Sequence, residues 1–161
     1  MATITVRSDQ FEDGERIPRR AAHTMAGGEN VSPQLAWDGV PEGTKSIAIT
    51  CWDPDAPTTV GFTHWVRTGI APTVTAMPEG AGTATGDWTD GITDWGDAGY
   101  GGMAPPEGDP AHHYHFTVYA LDAPAGTLGL DQTATYAKFK FLTRQHVLAS
   151  GRLTGLYAAG D

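Results

Sequence analysis

The sequence predicts an all-β-dominated fold, an antiparallel β-sandwich with one short peripheral helix towards the C-terminus. Three observations carry that expectation. Twenty-one glycines and eleven prolines make a turn-rich chain, without the Gly-x-y period of collagen. Between the turns lie short apolar runs, clearest at 112–121, where His112, Tyr114, Phe116 and Val118 share one face and His113, His115, Thr117 and Tyr119 the other. A helical period occurs only at 135–150, where Tyr136, Phe139, Leu142, His146 and Ala149 recur every three or four residues.

Taken in order, residues 2–7 alternate as a strand, and 9–14 form a polar turn. Residues 16–18 continue as an extended edge segment, because Pro18 disfavours an interior ladder position. Gly27-Gly28-Glu29-Asn30 marks a loop, after which Leu35 and Trp37 point the same way. Pro41-Glu42-Gly43-Thr44 turns the chain into a strand at 45–52, which Pro54 and Pro57 end. Residues 61–68 return as a second strand, so a group in the intervening turn sits at the end of a sheet. The glycine-rich stretch 76–110 is long for an inert connection and is a natural place for a site. The strand at 112–121 follows, then the helix at 135–150 with Gly151 as its C-cap and a short strand at 153–157. No repeat or linker divides the chain, so residues 1–161 are read as a single domain.

Charge narrows the function classes. Nineteen Asp and Glu face ten Lys and Arg, a formal charge of −9, and no Lys or Arg occurs from Thr68 to Ala137. Nucleic acids and anionic membrane surfaces need basic partners, so both are excluded as expected ligands. A small anion is still compatible if donors converge in one pocket. The N-terminus lacks a signal-type apolar core, and no run reaches the roughly 20 apolar residues of a membrane span. A soluble cytoplasmic protein without integral membrane association is expected. Cys51, the single cysteine, lies in an apolar run and is read as a buried structural thiol.

The common phosphate-loop, dinucleotide, zinc-protease and serine-hydrolase patterns are missing from the sequence. What remains is Asp53-Pro54-Asp55-Ala56-Pro57, then His64-Trp65, then the run from Gly99 through Gly101-Gly102-Met103-Ala104-Pro105-Pro106 to Gly108, and finally His112-His113-Tyr114. Together with Asn30-Val31-Ser32-Pro33-Gln34-Leu35-Ala36-Trp37, these ordered motifs resemble the phosphatidylethanolamine-binding protein family, in particular its small bacterial and archaeal branch related to Raf kinase inhibitor proteins. The resemblance spans most of the chain. It implies a central antiparallel sheet packed on another sheet, with a small anion pocket near one edge.

The same resemblance implies a ligand-binding set of Asp53, Asp55, His64, His112 and Tyr114, on a scaffold of Pro54, Pro57, Gly102, Pro105 and Pro106. It makes a cis Ala56–Pro57 bond an expectation. His113 stands where the family carries arginine, which removes a permanent charge and a rigid five-donor fork. His64 and His112 can donate to phosphate oxygens and Tyr114 can add its hydroxyl, while Asp53 and Asp55 orient histidines or meet an ammonium group. Trp65, Trp88 and Trp95 are packing candidates, the latter two also candidates for a pocket rim. His23, His115 and His146 match no pocket position and are read as surface or packing residues.

The expected function is therefore non-enzymatic binding of phosphate or a small phosphorylated head group, with or without an amine, open to a regulatory or inhibitory role, with no cofactor and no metal. Two alternatives use the same scaffold: a protein-interaction or inhibitor surface on the glycine-rich stretch, and a small-molecule enzyme using His-Asp acid–base chemistry. Small members of the family also form homodimers, which makes a second copy a candidate partner.

Overall fold

The computed structural model describes residues 2–161. Nine strands and one α-helix follow in order: β1 (Ala2–Thr3), β2 (Thr5–Arg7), β3 (Leu35–Asp38), β4 (Ser46–Asp53), β5 (Phe62–Ile70), β6 (Ala76–Met77), β7 (Thr89–Asp90), β8 (His112–Leu121), α1 (Tyr136–Thr143) and β9 (Val147–Tyr157). The main sheet has the order β1-β9-β8-β4-β5-β7, and a small sheet has the order β2-β3-β6. The expected wholly antiparallel sandwich is corrected in two respects: β1 runs parallel to β9, so the main sheet is mixed, and the second sheet has only three short strands, too few to make the fold a clear two-sheet sandwich.

The central strand shows why the layers form. Every residue of β4 except Trp52 is buried, as befits a strand covered on both faces. Ile47, Ile49 and Cys51 join Leu35 and Trp37 of the small sheet in one apolar cluster, together with Trp65, Phe116 and Val118. Ala48 turns to the other side, where Val66, Tyr119 and Leu121 meet Phe139 of α1. The face assignment for 112–121 holds: His112, Tyr114, Phe116 and Val118 are buried within the larger cluster or beside it, while His113 is exposed and His115 half-buried.

Two elements differ from the sequence reading. The expected strand at 2–7 breaks at Ile4, whose amide donates to Ser150 O at 3.0 Å; the residues before it join the main sheet and those after it the small one. The helix is shorter than 135–150. Thr135 caps it, its hydroxyl accepting from Lys138 N, and the Thr143 hydroxyl donates back to Phe139 O at its last turn. Residues 147–150 belong to β9, which pairs with β8 along its whole length, and Gly151 lies in that strand instead of capping a helix. Arg16 and Ile17 are extended as expected, against Leu156 of β9. No helix among the described residues is long and apolar enough to cross a membrane.

Candidate functional site

The end of β4 lies between the starts of β5 and β8, so antiparallel pairing brings Asp53, His64 and His112 to one end of the sheet. Cys51 pairs with Trp65 and Trp52 with Thr63, which leaves His64 as the extra residue of a β-bulge. A bulge of this kind re-aims a side chain at the rim of a sheet. The long 76–110 connection folds back over the same edge and closes it with Trp95, Ala104, Pro105 and Pro106.

The result is a cavity of about 220 Å³ lined by Asp53, Pro57, Phe62, His64, Trp95, Pro105, Pro106, His112 and Tyr114, with Ala56, Thr58 and Ala104 completing the wall. Most of the lining is apolar, and its polar groups are concentrated on the acid–histidine–tyrosine side. Trp95 is held edge-on to Phe62 at 5.1 Å, stacked on His23 at 4.2 Å, and tied through Nε1 to Gly102 O at 3.2 Å. Trp95 therefore forms a fixed wall, and His23 packs behind it.

His112 is the most heavily bonded group in the site. Its Nδ1 lies 2.7 Å from Asp53 Oδ2 and its Nε2 lies 2.8 Å from Asp109 Oδ2. Burial opposes a charged ring, but the bonds to Asp53 and Asp109 outweigh it and raise the pKa above the ordinary histidine value. The ring is thus an imidazolium donating to two carboxylates. His64 is in the opposite state: burial lowers its pKa, and its Nδ1 gives its N–H to Gly101 O at 2.7 Å. That leaves Nε2 of the neutral ring as a lone-pair acceptor. Tyr114 lies edge-on to His64 at 5.2 Å and stacked with His112 at 6.5 Å. Burial, then the charge of Asp53 and a hydrogen bond towards its carboxylate, hold the hydroxyl protonated, a neutral donor turned towards Asp53.

The expected residues divide into two groups. Asp53, His64, His112, Tyr114, Pro57, Pro105 and Pro106 meet in the cavity. Asp55, Pro54 and Gly102 stand outside its lining. Asp55 points away from the cavity, where its Oδ2 accepts from both the amide and the Nδ1 of His113, each at 2.7 Å. Despite some burial cost, these bonds hold its carboxyl below the usual aspartate range. His113 therefore sits on the outer side of β8 and takes Asp55 with it. The Ala56–Pro57 bond is trans, as are all described peptide bonds, which corrects the cis expectation. Gly102 supports the wall from behind: its amide donates to Asn30 Oδ1 at 2.7 Å. A Cβ there would lie 2.4 Å from Ala21 O and 2.5 Å from His23 N, atoms of backbone that cannot swing aside. Gly102→Ala is expected to cost about 1–3 kcal/mol through overpacking and to displace the Trp95 wall, read as a lower midpoint in urea together with an altered near-ultraviolet circular dichroism spectrum.

The sequence reading missed Phe62 as part of the wall and Asp109 as a partner of His112. Asp109 lies three residues before His112 in a Glu-Gly-Asp-Pro turn, a composition that by itself signals only a turn. Cys51 lies under the site, and burial, reinforced by Asp53, pushes its thiol pKa well up, so it is an inert packing group. Among the described residues, no three His, Cys, Asp or Glu side chains gather in a way that could hold a metal ion.

A largely β-built chain with a small pocket of this kind, at one end of a mixed sheet and closed by a proline-rich segment, defines a class of small-ligand-binding proteins. The chain belongs to the phosphatidylethanolamine-binding protein family, whose model matches residues 7–158. It is similar to the UPF0098 protein YbhB of Escherichia coli, 41% identical over 157 residues that cover 94% of this chain and 98% of the relative. It is also similar to the UPF0098 protein YbcL of the same organism, 38% identical over 97% of this chain and 88% of the relative. The crystal structure of E. coli YbcL, described as a new member of the mammalian family, superposes with a TM-score of 0.90 at 37% identity, covering 98% of this chain and 99% of that one. A carboxypeptidase Y inhibitor bound to its proteinase shares the fold alone, with a TM-score of 0.54 at 18% identity over 96% of this chain and 82% of that one.

Proposed function

We propose that this single-domain protein binds phosphate or a small phosphorylated head group without turning it over. The observation that carries the reading is the convergence of a cationic His112, a protonated Tyr114 and the bulge-positioned His64 on one cavity of about 220 Å³. A space of this size takes a small head group. His112 supplies a charge-assisted donor once a ligand reaches Nε2, and Tyr114 a neutral one. Asp53 orients His112 through Nδ1, so an acid in the pocket serves the anion site indirectly. An amine on the ligand would find the Phe62 and Trp95 faces and the Asp53 carboxylate on the remaining wall.

Calorimetric titration with inorganic phosphate and O-phosphoethanolamine in a phosphate-free buffer tests the reading. Saturable binding is expected. His112→Ala should weaken it by roughly 10-fold or more, since a hydrogen bond to a charged group is worth about 1.5–3 kcal/mol. Absence of binding, or steady release of product from a phosphoester, would sink it.

A further inference from the structure

The hydrogen bond at His112 Nε2 leaves the donor proposed for an anionic ligand already occupied by an anion from this chain. The Asp109 carboxylate accepts at 2.8 Å, and among the described residues His112 is its only side-chain partner. The other side of the ring is fixed: Nδ1 is held by the buried Asp53, whose second oxygen in turn accepts from the Asp55 amide at 2.8 Å. Of the two carboxylates on the ring, only Asp109 is free to leave. Its side chain is 38% exposed, against 3% for Asp53.

The local backbone suits a side chain that moves on a still support. The Asp109 amide closes a turn onto Pro106 O at 3.3 Å, Gly108 takes the positive φ of +88° that the turn requires, and Pro105, Pro106 and Pro110 restrict the chain on both sides. For the Asp109 carboxylate to pass from His112 to water, only its own side-chain bonds would have to turn.

Resting on the phosphate-binding reading, we propose that Asp109 is a specificity-determining residue: a tethered anion that occupies His112 Nε2, is displaced by a phosphoryl group, and excludes simple carboxylates. The chemistry follows from competition. A free carboxylate offers the imidazolium the same charge and the same oxygens that Asp109 already offers, and it must outcompete a group whose tether gives it an effective concentration of about millimolar or more. A phosphoryl group brings up to two charges and at least three acceptor oxygens, enough to engage Nε2 and still reach the Tyr114 hydroxyl. Departure of Asp109 to water also removes one of the two negative charges beside the ring, so the site that accepts the ligand is less acidic than the empty one.

The test is calorimetry on the wild type, Asp109→Asn and Asp109→Ala, with inorganic phosphate, O-phosphoethanolamine and acetate as probes. Because Asp109 as well as Asp53 raises the His112 pKa, the ring's protonation is followed in each protein by the pH titration of its proton NMR signals, and affinities are compared at a pH where all three rings are charged. Both variants are expected to bind phosphate about 10-fold more tightly than the wild type, and acetate, silent on the wild type, is expected to give saturable heat on both. Unchanged or weaker phosphate binding by both variants would show that Asp109 is a scaffold residue and overturn the inference, leaving the phosphate reading intact. Tighter phosphate binding with acetate still silent would overturn the exclusion of carboxylates. Phosphate binding by none of the three proteins would remove the phosphate reading, and the inference with it.

Discussion

Asp90→Ala is expected to lower the stability of this protein by about 3–5 kcal/mol, the cost of removing one partner from a buried ion pair. The other partner is Arg67 of β5, which has no solvent exposure. Its guanidinium is bound in a fork, Nε to Asp90 Oδ1 at 2.8 Å and Nη2 to Asp90 Oδ2 at 2.9 Å, and lies over Trp88 at 4.2 Å and Trp65 at 5.1 Å. Among the described residues Nη1 has only the sulfur of Met77, at 3.8 Å. Arginine cannot shed its proton, so without Asp90 the charge stays buried and unpaired. Asp90 is 18% exposed on its side chain, which lets water approach after truncation and places the effect towards the lower end of the range. For a chain of this size that amounts to a fall in melting temperature of about 10 °C. The same pair ties β7, and with it the 76–110 connection that closes the pocket, to the main sheet. The check is urea unfolding of Asp90→Ala beside the double variant Arg67→Met, Asp90→Ala. The double variant should recover much of the loss, because no charge is then stranded. A loss below about 1 kcal/mol in the single variant would show that Arg67 reaches water or another acceptor, against the geometry.

The strand β8 was fully legible in the sequence, and of the strand beside it only the second half, at 153–157, was, for a physical reason. In β8 the first four inward positions, His112, Tyr114, Phe116 and Val118, carry side chains large enough to show the period of two, and only the last, Ala120, is small. In β9 the inward positions are Ala149, Gly151, Leu153, Gly155 and Tyr157. A Cβ at Gly151 would lie 1.7 Å from Ile4 O, and one at Gly155 would lie 2.2 Å from Ile17 Cγ1. Close approach of the N-terminal segment therefore demands glycine at both positions. With those positions blank, Ala149, Leu153 and Tyr157 recur every four residues, a spacing that a helix satisfies as well as a strand. The helical reading ran through residue 150 because His146 and Ala149 continue the spacing of Tyr136, Phe139 and Leu142, and no large inward side chain at 151 marked the strand that had already begun.

At the site, residue types were legible and bonding partners were not. Which acids stand near which histidines depends on strand register, and the β4–β8 pairing directs Asp53 towards His112 while Asp55 turns to His113 on the opposite face. Two aspartates flanking one proline read alike in sequence, yet one enters the cavity and the other leaves it. The expectation that both histidines are ready donors also needed the structure to correct it. His64 spends its N–H on Gly101, and His112 spends both of its own on carboxylates.

That correction gives the pocket a defined response to pH. Sulfate is the cleanest probe, because its charge does not change between pH 5 and 8 and any change in affinity belongs to the protein. His112 has a raised pKa, so its charge is fully present below about 6.5 and is lost as pH rises through the higher value of the folded protein. His64 has a lowered pKa, so its Nε2 gains a proton, and becomes a donor, only as pH falls below the ordinary histidine range. A bound dianion favours both protonations. Sulfate affinity should therefore climb in two steps on acidification, one above pH 6.5 from His112 and one below it from His64. Each new charge-assisted hydrogen bond is worth about 1.5–3 kcal/mol, so each step should be about 10-fold or larger. His64→Phe keeps an aromatic of similar size against Phe62 and Tyr114 and should erase the lower step alone. His112→Ala should erase the upper step and leave weak binding that appears only at low pH. Sulfate affinity that stays flat from pH 5 to 8, or a lower step that survives in His64→Phe, would remove the histidines from the anion contact and leave Tyr114 as its principal donor.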